Sequence, residues 1–523
     1  MIRNMFHKVY SGFYSLKGSP SELWKAYVLK FLDSFSYFAF SLIFTLFLSS
    51  DFGFSDIKAG TIYGAWGALI TIYGLMTGFI IDNLGVARSL RIGFFIALIS
   101  RIWILMTTSR AVLLFNTLFL LPLGNCLGIP VLTIGIRRYT TEENRGFAFG
   151  LFYVVMNVAA LFSGPLVDLC TILIEGGTTA EGEGQQVDDN NNDDELVAVW
   201  KFSGYRAVIL TGIIANAIAC LVTLSIREIK IAEKGGNMSD DDNGNDNENE
   251  KSEKNGQIVF KPKKANPMQI FKETTRSKNF WKFLLVCVIT LNVRMIFRHL
   301  DATLPKYMVR EFGEKVPKGT IYSINPALIC VLVPIVTAMT TAVDPLVMIH
   351  AGSYISALSV FFLAFSTSIG ASIAFIVCLS VGEAVWSPRL YDFTMSFVKE
   401  GREGTFMALS SAPLFLAKLP VGFMSGYLLQ KYCPDEGERH SRKMWAIIGF
   451  VTLTSPILLT LCWKCISDRN DDSCDLCGAT ADNEIDTEPA RAEQARPLNG
   501  KSIEMPQVYE SIDDHVRDNP PLT

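Results

Sequence analysis

The sequence contains a glutamate inside an apolar run, where its neighbours have no ionisable side chain. Glu383 stands in the stretch SVGEAVWSP, within a run long enough to cross a membrane. A charge at that depth is costly and usually faces a cavity or an opposite charge. The carboxylate could accept charge-assisted hydrogen bonds from an ammonium group of a solute. Alternatively, it could form a structural ion pair with Arg294 or Arg298, which are four residues apart and share one helix face.

An asparagine before a proline is a second candidate. Asn325 directly precedes Pro326 in the stretch YSINPALICVLVP. The proline interrupts a helix and frees backbone carbonyls, which a membrane tolerates only beside a cavity or packed protein. We therefore expect this step to lie next to a cavity or against packed protein.

Basic residues in other apolar runs extend the set of candidates. They could bind a substrate carboxylate, or form salt bridges that alternate with Asp33, Asp301 or Glu383. Long basic side chains near helix ends can instead snorkel to the membrane surface. The residues concerned are Arg101, Arg294, Arg298 and Lys418.

Twelve apolar runs must position these residues. A membrane helix needs roughly 20 mostly apolar residues to cross about 30 Å of hydrocarbon. Of the 523 residues, 50% are hydrophobic and only 19% are charged, whereas soluble domains carry about 25% charged residues. We number the predicted helices spans 1 to 12, at about 23–49, 58–81, 89–108, 111–135, 146–174, 204–226, 279–303, 320–342, 346–366, 369–397, 404–429 and 444–466.

Polar segments divide the chain into five parts. We predict a cytoplasmic N-terminus at 1–22, six-helix halves at 23–226 and 279–466, a cytoplasmic linker at 227–278 and a cytoplasmic tail at 467–523. The linker is polar and low in complexity, so we expect disorder there, and in the tail as well. Short basic loops face the cytoplasm in this arrangement. Four basic residues fall on the opposite side and do not fit it: Lys306, Arg310, Lys315 and Lys318.

Small residues predict where the helices pack. Glycines recur at four-residue spacing, as in Gly60 with Gly64 and Gly422 with Gly426. Such spacing lets helix backbones approach closely in lipid, so we expect packing contacts at these positions.

The loop between spans 2 and 3 carries a pattern of glycine and charge. Gly78, Asp82 and Gly85 precede Arg88 in the stretch GFIIDNLGVARSLR. This resembles the signature loop of the major facilitator superfamily, in which glycine, aspartate and glycine recur at this spacing before basic residues. The resemblance implies an all-α integral membrane protein with twelve transmembrane helices in two six-helix halves. It also implies that these four residues form a conformational latch.

Three further stretches resemble the proton-dependent oligopeptide transporter branch of that superfamily. They hold Asn157 in FGLFYVVMNVAALFSGPL of span 5, Asn325 in span 8 and Glu383 in span 10. In that branch, the corresponding asparagines and glutamate grip the amino terminus of a bound peptide. We assign these three residues, together with Arg294 and Tyr37, to substrate binding.

Span 1 departs from the pattern of that branch. Peptide transporters carry Glu-x-x-Glu-Arg-Phe there, whereas this chain reads KFLDSFSYF. Lys30 and Asp33 replace the two glutamates, and Ser34 replaces the arginine. Because Lys30 and Asp33 lie three residues apart, they share a helix face and can form an ion pair. Such a pair would leave Asp33 less available as a proton carrier, which argues against the peptide specificity and the usual proton coupling of that branch. We assign Lys30, Asp33 and Arg298 to proton coupling or gating.

These features predict a secondary active transporter that moves a small solute by alternating access. The solute would be a peptide or an amino-acid-like amine, and a proton is a possible coupling partner. No GxxxxGK[ST] loop appears, so the energy must come from a gradient. The alternatives are a facilitator-fold transporter for another small organic solute, or a non-transporting receptor or scaffold with this fold.

Other classes of protein and partner are not indicated. Five histidines spread over the chain supply no catalytic constellation, so we do not expect an enzyme. The formal net charge of −4 gives no reason to expect nucleic acid as a partner. We expect no cofactor and no metal, and a monomer in the lipid bilayer of the plasma membrane or an endosomal or lysosomal membrane. The tail stretch YESI resembles a tyrosine-based endosomal sorting signal.

Overall fold

The computed structural model describes residues 11–175, 202–227, 278–340, 343–395 and 416–467. Residues 228–277 of the predicted linker and the tail beyond 467, both predicted to be disordered, lie outside the described residues. The helices of the N-terminal half are Ser21–Ser50 (span 1), Asp56–Leu84 (span 2), Val86–Met106 (span 3), Glu142–Glu175 (span 5) and Gly204–Leu224 (span 6). Span 4 is a helical run in three parts, Arg110–Phe115, a π-helical turn at Asn116–Leu120, and Leu121–Tyr139.

The C-terminal half repeats this arrangement. Its helices are Lys278–Ala302 (span 7), Lys318–Met339 (span 8), Pro345–Ser359 continued by Phe361–Phe365 (span 9), Ile369–Met395 (span 10), Lys418–Tyr432 (span 11) and Ser441–Leu461 (span 12). A short helix, Leu304–Phe312, follows span 7, and another, Trp463–Ser467, follows span 12.

Length and hydropathy distinguish nine of these spans from spans 2, 7 and 11. In the described part of the chain, nine helices are long and apolar enough to cross a membrane, namely those of spans 1, 3 to 6, 8 to 10 and 12. The described part of span 11 begins at residue 416, and its helix Lys418–Tyr432 has 15 residues. Span 7 carries two arginines, a histidine and an aspartate in its last three turns, so its apolar character is interrupted by charge.

Local sequence explains where several helices begin and end. Gly85 has a φ of 78°, a backbone conformation that glycine adopts readily, and this residue separates span 2 from span 3. Asp344 accepts a hydrogen bond at 2.8 Å from the N–H of Leu346. Together with Pro345 in the first turn, it fixes the start of span 9.

The two halves approach each other through glycines. A Cβ added to Gly60 of span 2 would lie 2.2 Å from the carbonyl oxygen of Gly422 in span 11. A Cβ added to Gly164 of span 5 would lie 2.1 Å from the carbonyl oxygen of Gly319 in span 8. These contacts confirm the packing predicted for the glycines of spans 2 and 11, and they add a second seam between spans 5 and 8.

Both seams lie toward one end of the bundle. Spans 1, 5, 7 and 11 finish at this end, and spans 2, 8 and 12 begin there. The topology predicted from the basic loops makes it the outer end, and we use that name. A set of hydrogen bonds joins the halves in this region: Ser41–Asp301, Thr45–Ala302, Tyr63–Asp301, Ser49–Lys306, Asp56–Lys306, Asp56–Arg310, Thr171–Lys318, Asp168–Gly319, Asp168–Thr320 and Ser41–Lys418.

Candidate functional site

The carboxylate of Glu383 lies beside the side chain of Asn325. The Asn325 Nδ2 donates to Glu383 Oε2 at 2.9 Å and to Ser380 Oγ at 3.1 Å. The residue after Asn325 is a proline without an N–H, so the helical hydrogen bond to the carbonyl of Tyr322 is missing at this point of span 8. A carboxylate that accepts from one amide can still accept hydrogen bonds at its other lone pairs.

Arg294 of span 7 reaches the same part of span 10. Its guanidinium carbon lies 5.5 Å from the centroid of the Trp386 ring. Among the described residues, its buried Nε has no hydrogen-bond partner, and no ion pair within 4.0 Å joins Glu383 to Arg294 or Arg298. Arg294 therefore keeps a donor that a solute carboxylate could use, and the structural ion pair considered for Glu383 does not form.

Arg298 instead forms a buried ion pair with Asp301 of the same span. The distance from Arg298 Nη1 to Asp301 Oδ2 is 3.1 Å. The same oxygen accepts from Ser41 Oγ of span 1 at 3.0 Å and from the Tyr63 hydroxyl of span 2 at 3.3 Å. Of the three acids considered for a switching salt bridge, Asp301 is the one that lies next to Arg298.

Lys418 is buried where the halves meet, with an exposed fraction of 0%. Its Nζ lies 3.7 Å from the centroid of the Trp66 ring, 4.6 Å from that of Tyr63 and 4.8 Å from that of Tyr37. It also donates to Ser41 Oγ at 3.1 Å. We call the rings of Tyr37, Tyr63 and Trp66 the aromatic cage. This lysine does not snorkel to a membrane surface.

The Asn157 side chain points to its own helix and makes no hydrogen bond to Glu383. Its Nδ2 donates to the carbonyl of Tyr153, one turn earlier in span 5, at 2.9 Å. Its side chain is buried, with an exposed fraction of 8%. The hydrogen bond to Glu383 thus comes from Asn325, whereas Asn157 bonds within its own helix. Tyr37, the remaining residue assigned to substrate binding, forms one wall of the aromatic cage.

Lys30 and Asp33 share a helix face but do not form the expected ion pair. The Lys30 ammonium lies 4.6 Å from the centroid of the Phe152 ring, and no ion pair within 4.0 Å joins these two described residues. Asp33 Oδ2 and both terminal nitrogens of Arg101 are buried and have no hydrogen-bond partner among the described residues. Asp33 interacts electrostatically with both cations, so three charges share a poorly solvated interior between spans 1 and 3.

The latch residues occupy the junction of spans 2 and 3. Gly78 and Asp82 belong to the last two turns of span 2, and Gly85 breaks the helix with its positive φ. Arg88 is exposed in the first turn of span 3. The side chain of Asp82 is outside the described part of the structure.

An ion-pair cluster at the outer end was not predicted. Lys306 Nζ lies 2.7 Å from Asp56 Oδ1, and Arg310 Nη1 lies 2.8 Å from Asp56 Oδ2. Asp56 is the first residue of span 2, and both basic residues belong to the short helix Leu304–Phe312 of the other half. We call these three residues the outer gate. The sequence contained an indication of this cluster, because the predicted topology places both basic residues on the non-cytoplasmic side, where basic residues are unusual.

A second contact closes the seam between spans 5 and 8. Asp168 accepts hydrogen bonds from the backbone N–H groups of Gly319 at 2.7 Å and Thr320 at 2.6 Å. Lys318 donates to Thr171 Oγ1 at 3.2 Å. A third basic residue that did not fit the topology rule is thus held against the opposite half.

These groups form one polar region that can bind a solute with two charges. The Glu383 carboxylate is close enough to the guanidinium groups of Arg294 and Arg298 to interact with them electrostatically. The region offers a carboxylate to an ammonium and a guanidinium to a carboxylate. In the described part of the chain, no group of three or more His, Cys, Asp or Glu side chains could hold a metal ion.

Sequence comparisons identify the family. The family model of the Major Facilitator Superfamily matches residues 26–417. The dipeptide and tripeptide permease B of Aeromonas hydrophila is 26% identical to this chain over 149 residues. That alignment covers 28% of this chain and 29% of the permease, so the chain matches less than a third of that relative's length.

Solved structures share the fold at low identity. A crystal structure of a POT family transporter in complex with a thioalcohol conjugated peptide is similar with a TM-score of 0.66 and 14% identity, over 87% of this chain and 98% of that one. A crystal structure of a nucleoside transporter has a TM-score of 0.61 and 10% identity, over 84% of this chain and 99% of that one. Proteins named for such different solutes share this fold, so the fold alone does not identify the substrate. With a family model that matches most of its length, the chain belongs to the Major Facilitator Superfamily and is a multi-pass secondary transporter.

Proposed function

We propose that this facilitator moves a small solute with a cationic amine, such as a peptide or an amino-acid-like compound. The observation that carries the proposal is the 2.9 Å hydrogen bond from Asn325 to Glu383, which holds a carboxylate between spans 8 and 10. An ammonium can add charge-assisted hydrogen bonds to the same carboxylate, and these are about twice as strong as neutral ones. The permease that matches part of the chain is named for dipeptides and tripeptides, which carry such an amine.

Arg294 is the proposed partner for the other end of a zwitterionic solute. Its Nε is buried without a hydrogen-bond partner among the described residues, and a guanidinium fits a carboxylate through two parallel hydrogen bonds. A solute bound between Glu383 and Arg294 would span the space between spans 7 and 10. Asn157 would join the site after a rotation that breaks its bond to Tyr153.

The proposed coupling ion is a proton that binds in span 1. Asp33 Oδ2 is buried and lacks a hydrogen-bond partner among the described residues, so it can take up a proton without breaking such a bond. Its protonation would leave the positive charges of Lys30 and Arg101 uncompensated, which provides a physical link between proton binding and helix movement. Arg298 is the proposed gating residue, because it pairs with Asp301, whose carboxylate also contacts spans 1 and 2.

Alternating access would use the outer gate as its outer barrier. Transporter sites lie near the membrane midplane between the two halves, and one half rocks against the other around them. Access to Glu383 from the outer end then requires that Asp56 separate from Lys306 and Arg310. At the opposite end, we propose the latch of Gly78, Asp82, Gly85 and Arg88 as the element that accommodates this rocking.

The proposed location is the plasma membrane or an endosomal or lysosomal membrane. The tail stretch YESI, which lies outside the described residues, resembles a tyrosine-based sorting signal for these compartments. Imaging of the tagged chain, with and without Tyr509→Ala, tests this assignment. An unchanged distribution would remove the support that this stretch gives.

Uptake into proteoliposomes tests the substrate class. We expect uptake of a labelled dipeptide or amino acid under an inward pH gradient, and weaker binding of the same solute by Glu383→Gln. A hydrogen bond to a charged group contributes about 1.5–3 kcal/mol, so the loss should be about 10- to 150-fold in Kd. An N-acetylated solute lacks the ammonium, so it should bind to the unmodified protein with a similar loss.

The double comparison separates a solute contact from an effect on folding. Acetylation should cost little further affinity in Glu383→Gln, because both changes remove the same interaction. The matched control is Glu438→Gln, whose carboxylate is 85% exposed, and it should transport normally. Additive losses in Glu383→Gln would refute the amine site and leave the transporter class intact.

A further inference from the structure

The aromatic cage holds a cation that belongs to the other half of the protein. Lys418 comes from span 11, whereas Tyr37 belongs to span 1 and Tyr63 and Trp66 belong to span 2. The ammonium lies 3.7 Å from the Trp66 centroid and 4.6 Å from that of Tyr63. Aromatic faces are electron-rich, and cages of this kind recognise ammonium ions. Lys418 therefore occupies a cation site built by the N-terminal half.

The approach of Lys418 depends on close packing at the outer end. A Cβ added to Gly67 would lie 2.4 Å from the Cβ of Lys418 and 2.8 Å from its Cδ, so the lysine stem runs directly over this glycine. Gly64, one turn earlier, packs against the backbone of Leu419. When spans 2 and 11 separate to open the outer end, Lys418 is withdrawn with span 11.

The rings of the cage pack against one another within spans 1 and 2, and the Tyr63 hydroxyl also donates to Asp301 of span 7. The Trp66 ring lies 5.5 Å from the ring of Tyr37 and 6.2 Å from that of Tyr63. Behind it, the rings of Phe40 and Phe44 lie at 5.6 Å and 5.3 Å. All five side chains belong to spans 1 and 2. Ser41 Oγ, which accepts from the lysine, also stays with span 1.

We propose that the aromatic cage is a binding site for an organic ammonium ion, primary or methylated, and that Lys418 occupies it only while the outer end is closed. A solute cation that enters from the outer end would take the place that Lys418 leaves. Return of the lysine on closure would then displace that cation toward the middle of the protein. This second cation site is separate from the amine site at Glu383, which contributes nothing to the cage.

Removal of the lysine tests the site directly. Lys418→Ala deletes three carbons and the ammonium, a fragment that n-propylammonium reproduces. We expect n-propylammonium to bind to purified Lys418→Ala in calorimetric titration, and to raise its unfolding temperature, at least tenfold more tightly than to the unmodified protein. The neutral alcohol 1-propanol has the same length and should not bind, because the cage recognises charge.

Two further variants locate the bound probe. Lys418→Ala with Trp66→Leu should lose the affinity for n-propylammonium at least tenfold, since the nearest ring is gone. Lys418→Ala with Glu383→Gln should keep it, so failure of the amine site at Glu383 and failure of the cage give different results. Equal binding of the probe with and without Trp66 would overturn the proposal.

A variant that retains Lys418 tests whether the lysine leaves the cage. Asp56→Asn weakens the outer gate and favours the open outer end, so n-propylammonium should bind to it more tightly than to the unmodified protein. Adding Trp66→Leu should remove this gain. If Asp56→Asn opens the outer end to cysteine labelling but gains no affinity for the probe, Lys418 is a permanent occupant and the proposal is wrong.

Discussion

At the scale of single residues, the buried charges depend on partners from the opposite half. Asp301 pairs with Arg298 within span 7, but its carboxylate also accepts from Ser41 and Tyr63 of the N-terminal half. Taking two ions out of water costs several kcal/mol for each ion, and a buried pair offsets this only when further hydrogen bonds satisfy it. The two hydroxyl groups supply those bonds.

We predict that Asp301→Leu destabilises the protein more than the double variant Arg298→Leu/Asp301→Leu. The single change leaves a buried guanidinium without its carboxylate, which costs about 3–5 kcal/mol in other buried pairs, whereas the double change removes both charges. Thermal unfolding in detergent should therefore give the lowest midpoint for the single variant. Glu436→Leu, at an exposed position, is the matched control. A double variant that unfolds below the single one would contradict this account.

Sequence alone identified only the residues whose chemistry is unusual for their surroundings. Glu383 and Asn325 could be named because a carboxylate and an Asn-Pro step stand out in apolar runs. Asp56 could not be named as a candidate, because the helix dipole favours an acidic residue in the first turn of a helix in any protein. Tyr37 and Lys418 were named as candidates, but their meeting in the aromatic cage was not predicted, since aromatic residues are ordinary in membrane spans until a distant lysine is known to meet them.

At the scale of helices, backbone contacts between glycines set the two seams. The four-residue spacing of Gly60 with Gly64 and Gly422 with Gly426 predicted the seam of spans 2 and 11. Gly164 and Gly319 form the other seam, but neither has a second glycine at four-residue spacing, so the glycine pattern did not indicate this seam. Contacts of this kind leave no room for even one methyl group.

We predict that Gly164→Ala prevents full closure of the outer end. The new Cβ would lie 2.1 Å from the carbonyl oxygen of Gly319. Overpacking typically costs about 1–3 kcal/mol, which would shift the balance toward the open outer end by about 5- to 150-fold. A cysteine at Thr171, fully buried in the closed seam, should then react faster with a membrane-impermeant maleimide.

Gly146→Ala is the matched control for this change. It belongs to the same helix, but an added Cβ there would have no atom within 4 Å. The cysteine at Thr171 should react at its original rate in this variant. Equal acceleration by both substitutions would show that helix propensity, and not the seam, controls the outer end.

At the scale of the whole molecule, apolar runs in the sequence predicted twelve spans, although only nine helices of the described residues are long and apolar enough to cross a membrane. The family match and the structural similarity confirm twelve helices in two halves. Which end of the bundle is closed could not be predicted, because the two states of a transporter share one sequence and differ by only a few kcal/mol. That difference depends on contacts between the halves, such as the outer gate, and pattern analysis does not detect them.

Tag or protease accessibility should place three segments on one side of the membrane. The even number of spans and the basic loops put residues 1–20, 230–275 and 470–523 together on the cytoplasmic side. A tag between Lys315 and Lys318 should be accessible only from the opposite side, despite the positive charge of this loop. Detection of the central linker on the same side as that tag would refute the six-plus-six topology.

The start of span 8 depends on a residue outside its own half. Pro317, the residue before this helix, provides no capping side chain, and the first free N–H groups are satisfied by Asp168 of span 5. Loss of a helix cap costs about 0.5–2 kcal/mol. When the seam opens, the first turn of span 8 becomes uncapped and should fray, which faster hydrogen exchange at Gly319 and Thr320 would report. Opening of the outer end is thus coupled to partial melting of the helix that carries Asn325.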